Sequence, residues 1–124
     1  MTKVDALEII QNAQAAVITL RGYLPRHELQ VALARAGVVL ASGLVVARLA
    51  SERDAIEQLG RSADMAGQTL AAVVERLEQG ETKELARTWA GNLLALATVA
   101  LGETPAIDVV RQTAPAKCAE RTSP

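Results

Sequence analysis

The sequence predicts an all-α protein: a bundle of four antiparallel helices, with a short fifth helix and a disordered C-terminal tail. Half of the residues are apolar, yet Tyr23 and Trp89 are the only aromatic residues and phenylalanine is absent. Small aliphatic side chains can fill a core completely only if the backbones approach closely, as in tightly packed helices. Alanine and leucine are also strong helix formers. Apolar residues also recur at alternating intervals of three and four, which is the spacing of one helix face.

The first helix is expected from about residue 3 to residue 23. Its apolar residues advance by four and three positions, so they lie along one stripe. Gly22 and Pro25 end the helix, because proline lacks the amide hydrogen and disfavours helical geometry in the residue before it. The predicted buried stripe is Ala6, Ile10, Ala13, Val17, Leu20 and Leu24.

The second helix is expected from about residue 26 to residue 50, and it contains the uncharged stretch AGVVLASGLVVA over residues 36–47. One set of residues is spaced like a buried face: Leu29, Leu33, Ala36, Leu40, Gly43, Ala47 and Ala50. A second aliphatic set lies off that stripe, so the helix is apolar nearly all round and needs neighbours on most sides. This second set is Val31, Val38, Val39, Val45, Val46 and Leu49.

The third helix begins at a capping box, with Ser51 as the N-cap and Asp54 three residues later. Its periodicity is the most regular in the chain, and Gly80 is expected to be its C-cap. The predicted buried stripe is Ile56, Leu59, Ala63, Ala66, Leu70, Val73 and Leu77.

The fourth helix is expected from about Thr82 to Leu101, with Gly102 ending it. Its predicted buried stripe is Leu85, Trp89, Leu93, Leu96 and Ala100.

Beyond the fourth helix, Thr104 and Pro105 resemble an N-cap followed by proline at the first helical position, so AIDVVRQ is expected to form a short fifth helix. That helix would dock through Ile107 and Val110. The last stretch, APAKCAERTSP, contains two prolines and no apolar pattern. We therefore expect one helical domain over residues 1–113 and a flexible tail over residues 114–124.

The overall charge and the two longest uncharged runs limit the kinds of partner and the compartment that we expect for this protein. The 13 basic and 14 acidic residues leave a formal charge of −1, so the strong positive field of non-specific nucleic-acid binding is missing. The N-terminal MTKVDALE lacks the apolar core of a signal peptide, and the single Cys118 cannot form an internal disulfide. Both features favour the cytoplasm. The uncharged runs over residues 36–47 and 88–102 are shorter than the ~20 residues of a membrane span, so no span is expected.

No catalytic, cofactor or metal site is expected. His27 is the only histidine, and it is expected at the surface near the start of the second helix. Glu75, Glu78, Glu81 and Glu84 recur every three residues, but the Glu-x-x-His pairs of di-metal bundles do not accompany them. The sequence contains neither a phosphate-binding glycine loop nor a nucleophile motif.

These observations favour a non-enzymatic protein–protein interaction module. The second helix carries more apolar surface than three small-residue neighbours can cover, so self-association as a homodimer is expected. Its role would be that of an accessory subunit, an adaptor, or an inhibitor or immunity-type partner. The candidate interface residues are Val38, Val39, Val45, Val46, Leu49 and Trp89.

Two alternatives stay open. Residues 31–49 have the rhythm of a helix-turn-helix, which would make the protein a DNA-binding regulator that contacts nucleic acid through Arg35, Ser42, Arg48 and Arg53. Such a recognition helix would offer few donors and acceptors to base edges. The other alternative is a small-ligand carrier or an enzyme with a pocket inside the bundle, because aliphatic helices can enclose a dry cavity.

Overall fold

The computed structural model describes residues 1–102, which form four α-helices and no strand. The helices are α1 (Lys3–Arg21), α2 (His27–Arg48), α3 (Glu52–Glu75) and α4 (Glu81–Leu101). The predicted all-α bundle is therefore confirmed. The expected fifth helix, the expected tail and Cys118 lie outside the described residues.

The four helices pack as a flattened bundle with one shared core. Helix α3 packs most extensively, against α4 and α2, and α1 packs mainly on α2. Helices α1 and α3 touch across the short diagonal, whereas α2 and α4 do not touch across the long one. Sequential helices run antiparallel: Lys3 at the start of α1 bonds Ala50 just after α2, and Gly60 early in α3 faces Leu101 at the end of α4.

Helix α1 is defined at its start by a complete capping box. The Thr2 hydroxyl accepts a hydrogen bond from the Asp5 amide at 3.1 Å, and the Asp5 carboxylate accepts one from the Thr2 amide at 3.2 Å. This carboxylate bond to the Thr2 backbone lowers the pKa of the exposed Asp5 side chain below its usual value. Every residue of the predicted α1 stripe, together with Leu24 beyond the helix, is buried.

Helix α2 is continuous from His27 to Arg48, with its two internal glycines inside the helix. Gly43 is buried where α2 crosses α3, and it faces Ser62, the one buried polar side chain among residues 1–102. The glycine therefore marks a close approach between two helices, as its placement on the predicted buried stripe implies.

The boundary between α3 and α4 differs from the prediction. Ser51 is the N-cap of α3, as expected, and its hydroxyl accepts from the Asp54 amide at 3.3 Å. Helix α3 ends at Glu75, five residues before the glycine expected to cap it. Gly80 is instead the N-cap of α4, at φ 156°, a backbone conformation that side chains disfavour.

The buried face of α4 also differs from the predicted stripe. Leu93 and Leu96 are buried as expected, but Leu85 is exposed and Trp89 is only half-buried. The reason lies in α3, where Gly60 and Gly67 let α4 approach closely. Leu101 and Leu94 of α4 pack against these two glycines, so Leu85 and Trp89 fall to the side of the helix that faces α1. The small buried residues of α4 are Ala86, Ala90 and Ala97.

Candidate interaction surfaces

The outer face of α2 carries more exposed large aliphatic residues than any other helix of the described chain. We call it the α2 face and define it by its exposed aliphatic residues. Val38 is 64 % exposed, Val45 59 %, Val46 51 % and Leu49 90 %. These four were predicted interface residues, and the structure brings them together on one helix. Val39, the fifth predicted residue of α2, is half-buried at the edge of this face.

The α2 face continues as a shallow groove toward α1. Ile18 of α1, which is itself exposed, lines this groove together with Ala34, Gly37, Val38 and Ala41 of α2. The groove has a volume of about 220 Å³ and opens to solvent. Its floor of small residues lets an incoming side chain approach the backbone of α2, which makes this side of the face concave.

Three valines of α2 recur at a strict interval of seven residues. Val31, Val38 and Val45 therefore lie almost above one another along the helix, as the residues of a coiled-coil seam do. These valines lie off the predicted buried stripe of α2, as expected, but their seven-residue interval was not part of that prediction. That interval, and the position of Ile18 off the α1 stripe, were the signals available in the sequence.

Charged residues border the α2 face at its two ends. Glu28 lies in the first turn of α2 and Arg48 in the last, and both are exposed. Glu28 forms ion pairs with Arg76 at 2.9 Å and with Arg26 at 3.8 Å. Arg35 is the one charged residue between Glu28 and Arg48. The face therefore combines an aliphatic centre, an N-terminal end where two arginines neutralise Glu28, and a basic C-terminal end at Arg48.

Trp89, the remaining predicted interface residue, lies on a different surface. It lines a groove between α1 and α4, together with Ile9, Asn92 and Val99. Because α2 and α4 share no contact, this groove is separate from the α2 face. The predicted interface residues thus divide between two surfaces of the bundle.

The predicted nucleic-acid contacts are exposed, but their expected scaffold is absent. Residues 31–48 lie within one unbroken helix, so no turn divides them, and the helix-turn-helix rhythm was wrong as a description of this segment. Gly37 and Gly43, the two glycines inside this segment, sit at contacts with α1 and α3. Arg35 and Ser42 lie on α2, Arg48 lies in its last turn, and Arg53 lies in the first turn of α3.

Features of a catalytic or ligand site are sparse in the part of the chain that the structure describes. His27 is exposed at the first position of α2, as expected. Within residues 1–102, no group of three His, Cys, Asp or Glu side chains is placed to hold a metal ion. The cavities that the structure describes there are surface grooves between helices, with volumes of about 220 to 550 Å³.

Helix α2 is also the one helix of residues 1–102 that is long and apolar enough to cross a membrane, judged by length and composition alone. One-third of that apolar window is buried inside the bundle. A core helix of a water-soluble bundle passes the same test, and α2 packs against both α1 and α3.

The fold and these surfaces define the chain as an all-α four-helix bundle with two apolar surface regions. Comparison with protein-family models, curated proteins and solved structures finds no match to this chain. The functional argument therefore rests on the surfaces themselves.

Proposed function

We propose that the protein is a non-enzymatic interaction module that pairs with a second copy of itself through the α2 face. The observation that carries this proposal is the exposure of Val38, Val45, Val46 and Leu49 on one helix face. Aliphatic residues scattered singly over a surface are ordinary, but a contiguous set on one face marks an interaction site. Two-fold dimers are the commonest way in which a self-complementary patch is covered.

The seven-residue repeat defines a register for such a dimer. In an antiparallel pair of α2 helices centred on Val38, the valine meets its own copy at the two-fold axis. Val31 then faces Val45 of the second copy, because both lie seven residues from the axis. Glu28 and Arg48 lie ten residues from the axis on opposite flanks of the face. The two-fold rotation brings Glu28 to the level of Arg48 of the second copy but on the opposite flank of the interface, so these two side chains form no direct ion pair across it.

The expected affinity follows from the area covered. Fully burying an exposed aliphatic side chain contributes about 1.5–3 kcal/mol. A dimer covers eight such side chains that are already partly buried, four from each copy. Weighted by their exposed fractions, these side chains contribute about 8–16 kcal/mol in total. Association costs roughly 4–15 kcal/mol, and a micromolar dissociation constant corresponds to a net gain of about 8 kcal/mol. We therefore expect a reversible dimer, whose dissociation constant is micromolar if the cost of association lies in the lower half of that range.

The Val38→Glu variant tests the proposal most directly, because it places two carboxylates together at the two-fold axis. We expect the wild type to sediment as a dimer at about 100 μM and the variant as a monomer with unchanged helical content. The matched control is Val4→Glu, which adds the same charge at an α1 residue that is 71 % exposed. The control should dimerise like the wild type. A wild-type protein that remains monomeric at 100 μM would remove the proposal.

The same variants distinguish the other uses of α2. The wild type could instead stay monomeric and bind neutral or anionic vesicles. If Val38→Glu abolishes that binding, the α2 face is a membrane-binding surface. If genomic DNA fragments are retarded and the shift weakens steeply with salt, the DNA-binding alternative replaces ours. Under our proposal neither result is expected, and the dimer serves as an adaptor, accessory subunit or inhibitor of a protein partner.

A further inference from the structure

A second apolar surface runs along the seam between α1 and α4, where these two helices pack only sparsely. It consists of two consecutive grooves. One has a volume of about 550 Å³ and includes Tyr23, Glu81 and Leu85, while the other has a volume of about 370 Å³ and includes Trp89 and Val99. Thr88 lines the first groove and Trp89 the second, so the two are adjacent. We call them together the α1/α4 furrow.

The only two aromatic residues of the protein line this furrow. Tyr23 is 70 % exposed just after α1, and Trp89 is half-buried on α4. The buried core of residues 1–102 is entirely aliphatic. Tryptophan and tyrosine are enriched among the residues that contribute most to protein–protein binding. Their placement on one surface groove, in a protein that builds its core without them, points to a binding surface.

The shape of the furrow fits a helix. The wall from α4 presents Leu85, Trp89, Asn92, Leu96 and Val99, which advance by four and three residues and so form one stripe. From Glu81 to Val99 the furrow follows 18 helical rises, or about 27 Å. An amphipathic helix of about five turns has this length and lies naturally in the groove between two antiparallel helices.

The charge of the furrow is acidic at one end. Its charged lining residues in those two grooves are Glu81 and Glu84, both in the first turn of α4. Glu84 forms an ion pair with Arg87. Arg26 and Arg76, which line the neighbouring groove at this end, are engaged with Glu28. An incoming helix would therefore be favoured if it carried basic residues where it meets this end.

We propose that the α1/α4 furrow binds an amphipathic helix of a different protein, with an aliphatic stripe along the furrow and lysine or arginine residues at the end that meets Glu81. A second copy of this chain is already engaged through the α2 face under the proposed function. The furrow would remain open in that dimer, because α2 and α4 lie on the long diagonal of the bundle. The inference extends the proposed interaction role, and it fails or holds separately from the dimer.

Peptide binding to the furrow can be followed by the fluorescence of Trp89, because it is the only tryptophan of the protein. The probe is an 18-residue peptide with leucine at two positions of each heptad, alanine and glutamine elsewhere, and three lysines at one end. The control peptide has three glutamates in place of the lysines. We expect the lysine peptide to shift the Trp89 emission of the full-length protein to shorter wavelength in a saturable titration. The glutamate peptide should bind at least about tenfold more weakly, which corresponds to about 1.4 kcal/mol.

Variants locate the binding. Glu81→Lys should reverse the preference between the two peptides, and Val99→Glu should weaken both by at least about tenfold. Peptide anisotropy reports binding to Trp89→Ala, where the same loss is expected. Val38→Glu, which disrupts the proposed dimer, should bind the lysine peptide like the wild type. Circular dichroism of each variant shows whether its helical content is retained.

Three results would overturn the proposal. One is the absence of saturable binding by the lysine peptide to the wild type. A second is binding that Val38→Glu removes and Val99→Glu leaves intact, which would assign the peptide to the α2 face. The third is a Trp89 emission that shifts with protein concentration alone or resists acrylamide quenching at every concentration. Either behaviour of Trp89 would mean that a second copy or another part of the chain already covers the furrow.

Discussion

Gly43 of α2 packs directly against Ser62 of α3. A Cβ atom added at Gly43 would lie 2.9 Å from the Ser62 Cβ and closer still to its hydroxyl oxygen. Rotation of the serine side chain can move the hydroxyl but not the Cβ, which belongs to the helix. The distance between α2 and α3 is therefore set by the absence of a side chain at residue 43.

This contact predicts that Gly43→Ala destabilises the protein despite the better helix propensity of alanine. The propensity gain is about 1 kcal/mol, and crowding a packed crossing costs about 1–3 kcal/mol. We expect a net loss of up to ~2 kcal/mol in the free energy of unfolding, measured by urea denaturation. Ser62→Gly should restore part of the loss when combined with Gly43→Ala.

Gly91→Ala is the matched control, since nothing lies within 4 Å of a Cβ added there. Gly91 is an exposed interior residue of α4, so the substitution should stabilise the protein by about 0.5–1 kcal/mol. If both variants change stability by the same amount, the close approach of α2 and α3 is not limiting.

Lys3 connects three helices, and its removal should loosen the N-terminal end of the bundle. Its ammonium donates to the carbonyl oxygens of Ala50 at 2.8 Å and Arg48 at 3.3 Å, and its amide donates to the Glu52 carboxylate at 3.1 Å. A cation near the last carbonyls of α2 also interacts favourably with the helix dipole. We expect Lys3→Met to lower the free energy of unfolding by about 1 kcal/mol.

Lys83→Met removes the same charge from the first turn of α4, where a cation opposes the helix dipole. Thermal unfolding of the two variants should therefore differ: Lys3→Met lowers the melting temperature, and Lys83→Met leaves it unchanged or raises it slightly. An equal decrease for both would show that the loss reflects charge alone and not the bonds to Ala50 and Arg48.

The capping box of α1 predicts a defined pH dependence. The bond from the Thr2 amide lowers the pKa of the folded Asp5 side chain below the ordinary value of 3.8. The charge of Asp5 therefore stabilises the fold above pH 3.8, and this contribution is lost as the pH falls through the lowered pKa. The wild type should be more stable than Asp5→Asn at pH 7, and the difference should shrink in unfolding experiments below pH 3.8.

Thr2→Ala, which removes the other half of the capping box, should cost about 1 kcal/mol at pH 7. Because the lowered pKa of Asp5 depends on the Thr2 backbone and hydroxyl, the pH dependence should also be weaker in this variant. A gap between wild type and Asp5→Asn that is constant from pH 7 to pH 2 would contradict this assignment.

Much of the fold could be predicted because its signals are local. The apolar residues of α1 from Ala6 to Leu20 follow a single helical spacing within one helix, and every one of them is buried. Ser51 identifies the start of α3 through its own hydroxyl. These features depend on residues within one or two turns, where spacing and capping chemistry decide the outcome.

The buried face of α4 could not be predicted in the same way, because another helix decides it. Leu85 and Trp89 were expected inside, but Gly60 and Gly67 of α3 leave room for Leu101 and Leu94 of α4 instead. The rotation of α4 that follows places Leu85 and Trp89 on the furrow. A pattern of residue sizes on α3 carried this information, whereas a pattern of polarity on α4 did not.

The two candidate surfaces also differ in whether the residues of one helix or the packing of two helices determine them. The exposed aliphatic residues of α2 were predictable because that helix contains more apolar residues than one face can hold. The pairing of Tyr23 with Trp89 on one furrow depends on how α1 and α4 are arranged in space. The rarity of aromatic residues was visible in the sequence, but their shared location was not.

The arrangement of the helices also bears on the chain while it is being synthesised. Helices α1 and α2 leave the ribosome first, and α2 then lacks its most extensive neighbour, α3, until residue 75 has emerged. At about 5–20 residues per second, elongation through α3 takes roughly one to five seconds. During that interval the side of α2 that later packs on α3 is bare together with the α2 face, so we expect a nascent-chain chaperone to bind this aliphatic segment.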